Sequence, residues 1–240
     1  MLEFLKNKRI LIVVAHPDDE VIGLGSTINK LVKNYNCFIK CVILGEGITS
    51  RDKTRDIEKR RKQLETHRSN IHSSKKIIGY QEIAIYDLPD NRFDSIPLLD
   101  IVKIVEEEKT LFSPDIIFTH HAGDLNIDHQ KTYESVITST RPLKNERVTS
   151  IITFETFSGT EWQPSIDPKI FRPNLFIEIS EEELEIKKQA MECYDFEKRD
   201  YPHPRSPKAL EISAQKNGII VGCELAESFC IIRSISKNEF

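Results

Sequence analysis

What this chain lacks narrows its reading. Its five cysteines, Cys37, Cys41, Cys193, Cys223 and Cys230, are odd in number and form no C-x-x-C pair. They read as inert, reduced thiols of a reducing compartment. Cys37 and Cys41 lie four apart in an apolar stretch and are expected buried on one side of a strand. Lysine and arginine form no basic block, and a net charge of −4 with a pI near 6.0 gives no reason to expect nucleic acid or an anionic membrane as partner. The charged residues 1–8 precede an apolar run of only about six residues, too short for a signal-peptide core or a membrane span. A cytoplasmic enzyme is the expectation, and homo-oligomerisation stays open. Gly23-Leu24-Gly25 lacks the third glycine of a dinucleotide fingerprint, which argues against a nucleotide cofactor. No internal repeat, low-complexity tract or linker interrupts the 240 residues, enough for one full domain spanning 1–240.

What is present centres on residues 9–20. Residues 10–15 are a continuous run of β-branched and small apolar side chains without polar alternation. Such a run suits a strand buried on both faces of a parallel sheet. It stops at His16-Pro17, where proline cannot extend the ladder and the chain must turn. Asp18, Asp19 and Glu20 follow, then a helix over 19–34 with Val21, Leu24, Ile28 and Leu31 at helical spacing and Gly23 and Gly25 allowing close approach to the sheet. Ligands of open α/β sheets bind in the crevice beyond the strands' carboxyl ends, and an imidazole with adjacent acids sits at that point. In the plainest alternative, Asp18 or Asp19 caps the helix and His16 merely ends a strand. That accounts for one acid and leaves the other, and the histidine, without a role. His16 and Asp19, three apart across a turn, have the spacing and chemistry of ligands for zinc or another divalent ion.

Strands are expected over 37–44, 81–88 and 116–119, with a charged helix over 53–69 and another over 97–109. This alternation argues for a doubly wound, mostly parallel sheet. His67 and His72 read as solvated surface histidines. The fourth strand runs into His120-His121-Ala122-Gly123-Asp124-Leu125-Asn126-Ile127-Asp128-His129. His129 opens a helix to 139 and is favoured as a further metal ligand, with Asp128 placed to orient an imidazole. His120 and His121 serve either the metal or local hydrogen bonding at the strand end.

His16-Pro17-Asp18-Asp19-Glu20 after a hydrophobic strand, with Gly-Asp-Leu-Asn-Ile-Asp-His ending at His129, resembles the PIG-L/LmbE-like N-deacetylase family. Gly45-Glu46-Gly47 with Arg51, Pro89-Asp90-Asn91-Arg92-Phe93-Asp94, Pro202-His203-Pro204-Arg205-Ser206 and Ala226-Glu227-Ser228-Phe229 extend the likeness over nearly the whole chain. The resemblance implies a Rossmann-like α/β fold, a three-layer sandwich. It also implies a zinc-dependent hydrolase that removes acyl groups from N-acetylated amino sugars, often N-acetylglucosamine conjugates. His16, Asp19 and His129 become the metal ligands and Asp18 the general base; chemistry alone does not choose between the two adjacent acids. Many members carry a histidine three residues before the last ligand, where this chain has Asn126, so another group must serve as proton donor or oxyanion partner.

Three protein ligands leave an open position for water, and two neutral imidazoles with one carboxylate leave a site of about +1 charge around Zn²⁺. Asp18 would accept the proton of the zinc-bound water and pass it to the leaving amine. The oxyanion needs a cationic or donor partner, for which Arg51, Asn126, His203 and Arg205 are candidates. His203, stiffened between two prolines, is taken as catalytic, with an ordinary loop histidine as its alternative. Arg51, Asn126 and Arg205 are taken as substrate-binding. Arg92 either binds sugar or forms a turn network with Asp90 and Asp94. Trp162 either stacks on a sugar or packs. The C-terminal third is expected to supply strands over 148–156, 174–179 and 224–232. Its helices are expected over 181–194, capped by Ser180, and from Ser206-Pro207 to about 217 with Gly218 as C-cap, the whole forming a lid or substrate wall. The rivals are an impaired (nucleotide-)sugar-binding protein, suggested by Asn126, and a metallophosphoesterase, which usually needs more ligands than are visible here.

Overall fold

The computed structural model describes residues 2–236. Seven strands form one sheet: β1 Arg9–Val14, β2 Phe38–Gly45, β3 Glu82–Leu88, β4 Ile116–His120, β5 Ser150–Phe154, β6 Leu175–Glu178 and β7 Ala226–Ser234. Their order is β3-β2-β1-β4-β5-β7-β6. The first five are parallel, and β7 runs antiparallel to both β5 and β6. Six helices cover the faces: α1 Asp19–Tyr35, α2 Ile57–Ile78, α3 Leu98–Phe112, α4 Ile127–Ser139, α5 Glu181–Glu192 and α6 Pro207–Val221. The fold is the expected α/β three-layer sandwich. Among the described residues no helix is long and apolar enough to cross a membrane.

β1 is buried on both faces because its alternate residues serve two cores. Ile10, Ile12 and Val14 join the core toward α1, and Leu11 and Val13, with Ala15, join the one toward α3 and α4. The chain leaves β1 for β2 on one side and later returns to β4 on the other, so the strand order reverses at β1. A ligand crevice is expected at that switch point, and the chain passes from β1 into the His16–Glu20 turn there. Cys37 and Cys41 are both buried and free, as expected.

Several boundaries differ from the sequence reading for local reasons. α2 starts four residues later, where the Asp56 side chain accepts from the Lys59 N–H, and runs on to a left-handed Gly79. Its buried face mixes His67, Asn70, Ile71, Ser74 and Ile78, so polar residues mask the periodicity. His67 is therefore buried at 1% exposure, not solvated. α6 passes through Gly218 and ends at Gly222, φ +79°. Gly218 is needed for close approach instead, since a Cβ there would lie 2.5 Å from the Glu224 carbonyl oxygen. Gly23 does bring α1 onto the sheet, against the Phe154 ring. Just beyond it α1 breaks at Leu24, and the Ser26 and Thr27 N–H groups donate to the Glu227 carboxylate. Lys187 neutralises that carboxylate at 2.6 Å. The C-terminal third thus supplies the three sheet strands β5, β6 and β7 and a helix layer, besides the wall that residues 195–206 raise beside the crevice.

Candidate active site

The turn after β1 gives the acids different tasks. The Asp18 carbonyl oxygen accepts from the Val21 and Ile22 N–H groups and starts α1, yet its side chain makes no capping bond. Its backbone is left-handed, φ +100°, a conformation that non-glycine residues hold only when their surroundings impose it. Glu20 helps impose it, its Oε2 accepting the Asp18 N–H at 3.2 Å while Oε1 accepts from the Tyr194 hydroxyl at 2.6 Å. The Asp19 side chain turns back instead, its Oδ2 accepting the His16 N–H at 2.7 Å. Helix capping therefore explains neither acid.

His16, Asp19 and His129 converge. Asp19 Oδ2 lies 3.6 Å from His16 Nδ1 and 3.4 Å from His129 Nε2. Ligands at ~2.0–2.2 Å around a tetrahedral ion are separated by about this much. Each imidazole is held from behind by its own acid: Asp128 Oδ2 is 2.8 Å from His16 Nε2 and Asp124 Oδ2 is 3.2 Å from His129 Nδ1. A second trio, His16, Asp90 and Asp128, could also surround an ion. Asp128 is already committed there, accepting the Asn91 N–H at 2.6 Å and the Phe93 N–H at 2.9 Å. In the first trio, by contrast, Asp19 Oδ1 and His129 Nε2 are buried without hydrogen-bond partners. Buried polar atoms are rarely left unmatched, so the first trio fits a divalent cation and the second does not.

His120 and His121 resolve toward hydrogen bonding. The Ala15 N–H donates to His120 Nε2 at 2.9 Å, so the ring proton sits on Nδ1, 3.0 Å from Thr156 Oγ1. The ring stacks on His129 at 3.9 Å, and burial, reinforced by His129, pushes its pKa down to about 4. His121 Nε2 faces the Lys169 carbonyl oxygen at 2.6 Å, away from the trio.

A polar cleft of about 540 Å³ reaches the trio at His16 and is lined also by Asp18, Ser50, Arg51, Asp90, Asn91, Asn126, Glu197 and Arg205. Asp18 is fully buried at its base, with Oδ1 unpartnered and Oδ2 3.1 Å from Arg205 Nη1. Burial raises its pKa well above the usual carboxylate range, against the opposing pull of Arg205. Asp19 goes the other way: burial would raise its pKa, but His129 and His120 hold it well below that range. Adjacent acids are thus separated into one with heightened proton affinity and one kept anionic, the split expected of a base beside a ligand.

The other expected residues divide. Arg51 and Arg205 line the cleft and meet at Glu197, Arg51 Nη2 at 2.6 Å and Arg205 Nη1 at 2.9 Å. Asn126 lines the cleft too, but its Oδ1 caps α4 by accepting the Asp128 N–H and its Nδ2 donates to Asn91 Oδ1. Arg92 is exposed, is not among the cleft-lining residues and makes no ion pair with Asp90 or Asp94. Asp90 accepts from the Ser50 hydroxyl and N–H instead. His203 also stays outside the lining: its Nδ1 accepts the Arg205 N–H at 3.1 Å and its ring meets the edge of Trp162. Glu46 pairs with Arg55, not Arg51, and fixes the loop after β2. Sequence reasoning missed Glu197, which sits among alternating charges that read as a solvated surface. It also missed Asp124, five residues before His129, although the motif containing it was in view.

Comparison with known proteins bears on the fold and the family. Over 191 residues the chain is 24% identical to the uncharacterized deacetylase YaiS of Escherichia coli K12, covering 78% of this chain and 90% of that one. The N,N'-diacetylchitobiose deacetylase of Pyrococcus horikoshii superposes with a TM-score of 0.73 at 21% identity, over 97% of this chain and 86% of that one. The 4-carboxy-2-hydroxymuconate hydratase GalB of Pseudomonas putida superposes with a TM-score of 0.71 at 17% identity, over 97% of this chain and 99% of that one. The family model described as PIG-L, GlcNAc-PI de-N-acetylase, matches residues 11–140, a stretch that holds the three converging residues His16, Asp19 and His129 and the buried Asp18. This chain belongs to the PIG-L deacetylase family.

Proposed function

We propose that this protein is a metal-dependent hydrolase that removes the N-acetyl group from an N-acetylglucosamine-type amino sugar or its conjugate. The observation that carries the reading is Asp18: a buried carboxylate with a free oxygen in the lining of a polar cleft, next to a two-histidine, one-aspartate donor set in which Asp19 Oδ1 and His129 Nε2 have no hydrogen-bond partner. His16, Asp19 and His129 would hold the ion, and that donor set suits zinc or another divalent metal. When bound there, such an ion lowers the pKa of a water toward ~7 and polarises an amide carbonyl.

The chain's own residues supply the rest. Asp18 takes a proton from the attacking water and delivers it to the departing amine, which its raised proton affinity favours. Arg205, in contact with Asp18, is the candidate best placed to offset the negative charge that develops on the former carbonyl oxygen. That answers the need left by Asn126, whose amide is engaged elsewhere. Asp128 and Asp124 fix the ring orientations of His16 and His129. Arg51, Asn91 and Asn126 line the cleft, where sugar hydroxyls would exchange partners with them. His203 acts through the Arg205 backbone. The five free cysteines fit a cytoplasmic setting.

Asp18→Asn tests the assignment. It should lower acetate release by at least about 100-fold, the scale of a lost general base, while bound metal per chain stays the same. Turnover at the wild-type rate would remove Asp18 as the base. Water addition to a carbon–carbon double bond is the second reading, favoured by the GalB likeness in fold. It predicts a hydrated product and no acetate.

A further inference from the structure

Two arginines in a polar cleft would ordinarily mark a site for phosphate or carboxylate. Here both are already matched. Glu197 takes Arg51 on one oxygen at 2.6 Å and Arg205 on the other at 2.9 Å. Arg205 is shared further with Asp18 at 3.1 Å, and its Nε donates to Ser158 Oγ. Arg51 Nη2 also donates to the Phe196 carbonyl oxygen. With Asp90, the cleft lining carries three carboxylates against two guanidiniums. Asp19, Asp124 and Asp128 lie against the two imidazoles of the trio, so further negative charge stands behind the cleft. The amides of the lining, Asn91 and Asn126, are neutral and bond to each other, so an uncharged ligand can exchange partners with them without meeting a bare charge.

From this we infer that the cleft selects an uncharged amino-sugar conjugate and rejects a phosphorylated or carboxylated one, with Glu197 as the specificity-determining residue. Glu197 does so by neutralising both arginines and by adding a like charge that an anionic ligand must approach. The inference rests on the deacetylase reading for its substrate class, and its test separates the two.

Acetate release would be compared for N,N'-diacetylchitobiose, N-acetylglucosamine 6-phosphate and UDP-N-acetylglucosamine, with sugar binding measured in parallel by calorimetry. The wild-type protein should favour the uncharged sugar in kcat/KM by about tenfold or more, the scale of one like charge in a partly buried site. Glu197→Gln, similar in shape, should shrink that preference by about tenfold. Arg51→Gln, at a position about one-third exposed, should widen it. A wild-type preference for either phosphorylated sugar, or a preference unmoved in a folded Glu197→Gln protein, would overturn the inference. Should Glu197→Gln not fold, the wild-type ranking and Arg51→Gln still decide. If no sugar releases acetate, the deacetylase reading fails alone. Calorimetric binding of chitobiose over the sugar phosphate would then still support the charge selection, and the reverse order would refute it.

Discussion

The hydroxyl of Tyr194 stands 2.6 Å from Glu20 Oε1, joining the end of the α5 region to the motif that follows β1. Both side chains are fully buried, and the other oxygen of Glu20 holds the Asp18 N–H. The orientation of the proposed base therefore depends, through Glu20, on a residue 174 positions beyond that glutamate in sequence. Tyr194→Phe keeps the ring and deletes the donor. It should cost about 1–3 kcal/mol, the scale of a buried acceptor left unmatched, and it should reduce kcat more than it changes KM. Urea unfolding and steady-state kinetics would measure both. A variant as stable and as fast as wild type would show that Glu20 holds Asp18 without help.

Each proposed imidazole ligand has its own orienting acid, Asp128 for His16 and Asp124 for His129. Replacing either by asparagine should weaken metal binding about 10–100-fold, as loss of such partners typically does. Asp128→Asn should be the more destabilising of the two, since Asp128 also accepts two backbone N–H groups at the loop after β3. Competition dialysis against a chelator gives the affinities. Unchanged affinity in both variants would mean that packing alone orients the rings.

Asn126 tests whether a cleft residue has a separate structural task. Its side chain caps α4, so Asn126→Ala should cost about 0.5–2 kcal/mol. Asn126→Asp should keep most of that stability, because a carboxylate accepts the same Asp128 N–H. Equal losses in thermal or urea midpoint for the two variants would argue against the cap.

His67 should leave a signature in the acid limb of stability. Burial pushes its pKa down to about 4, whereas an unfolded histidine titrates near ~6.5. Between those values the unfolded chain binds a proton that the folded chain refuses. Stability is therefore fully present above about pH 6.5 and falls as the pH drops toward about 4, by roughly 3 kcal/mol in all. His120, depressed to about 4 as well, contributes with the same sign. Unfolding midpoints of the wild type and His67→Phe across this range should converge toward acid, the variant declining less. Parallel curves would show that His67 is protonated in the folded protein.

The parts legible in the sequence are those where one local pattern decides one local outcome. The unbroken apolar run of β1, the proline stop and the acids after it disclose a buried strand ending in a polar turn. The pattern also brings out His16, Asp19 and His129, which the fold draws together, because residues proposed as ligands must be particular types at strand ends and helix starts. Glu197 and Tyr194 are different. Their roles arise from α5 and the following loop folding back over the β1 turn, a contact that no local spacing encodes. His67 misled for a related reason: a helix face built from histidine, asparagine and serine among isoleucines looks exposed until the loop after β2 and the Tyr194 ring cover it. Asn126, marked by its departure from the family histidine, proves to be a helix cap as well as a cleft residue.

The central claim is metal-assisted hydrolysis of an N-acetyl amino sugar, and product stoichiometry tests it most directly. Acetate and free amine would be quantified together after incubation of N,N'-diacetylchitobiose or a simple N-acetylglucosaminide with the purified protein. The measurement would be repeated after chelation and again after one equivalent of zinc is restored. The account predicts equimolar acetate and amine, loss of both on chelation and their return with the metal. Equal acetate release from the chelated protein, or a product that retains its acetyl group, would contradict it.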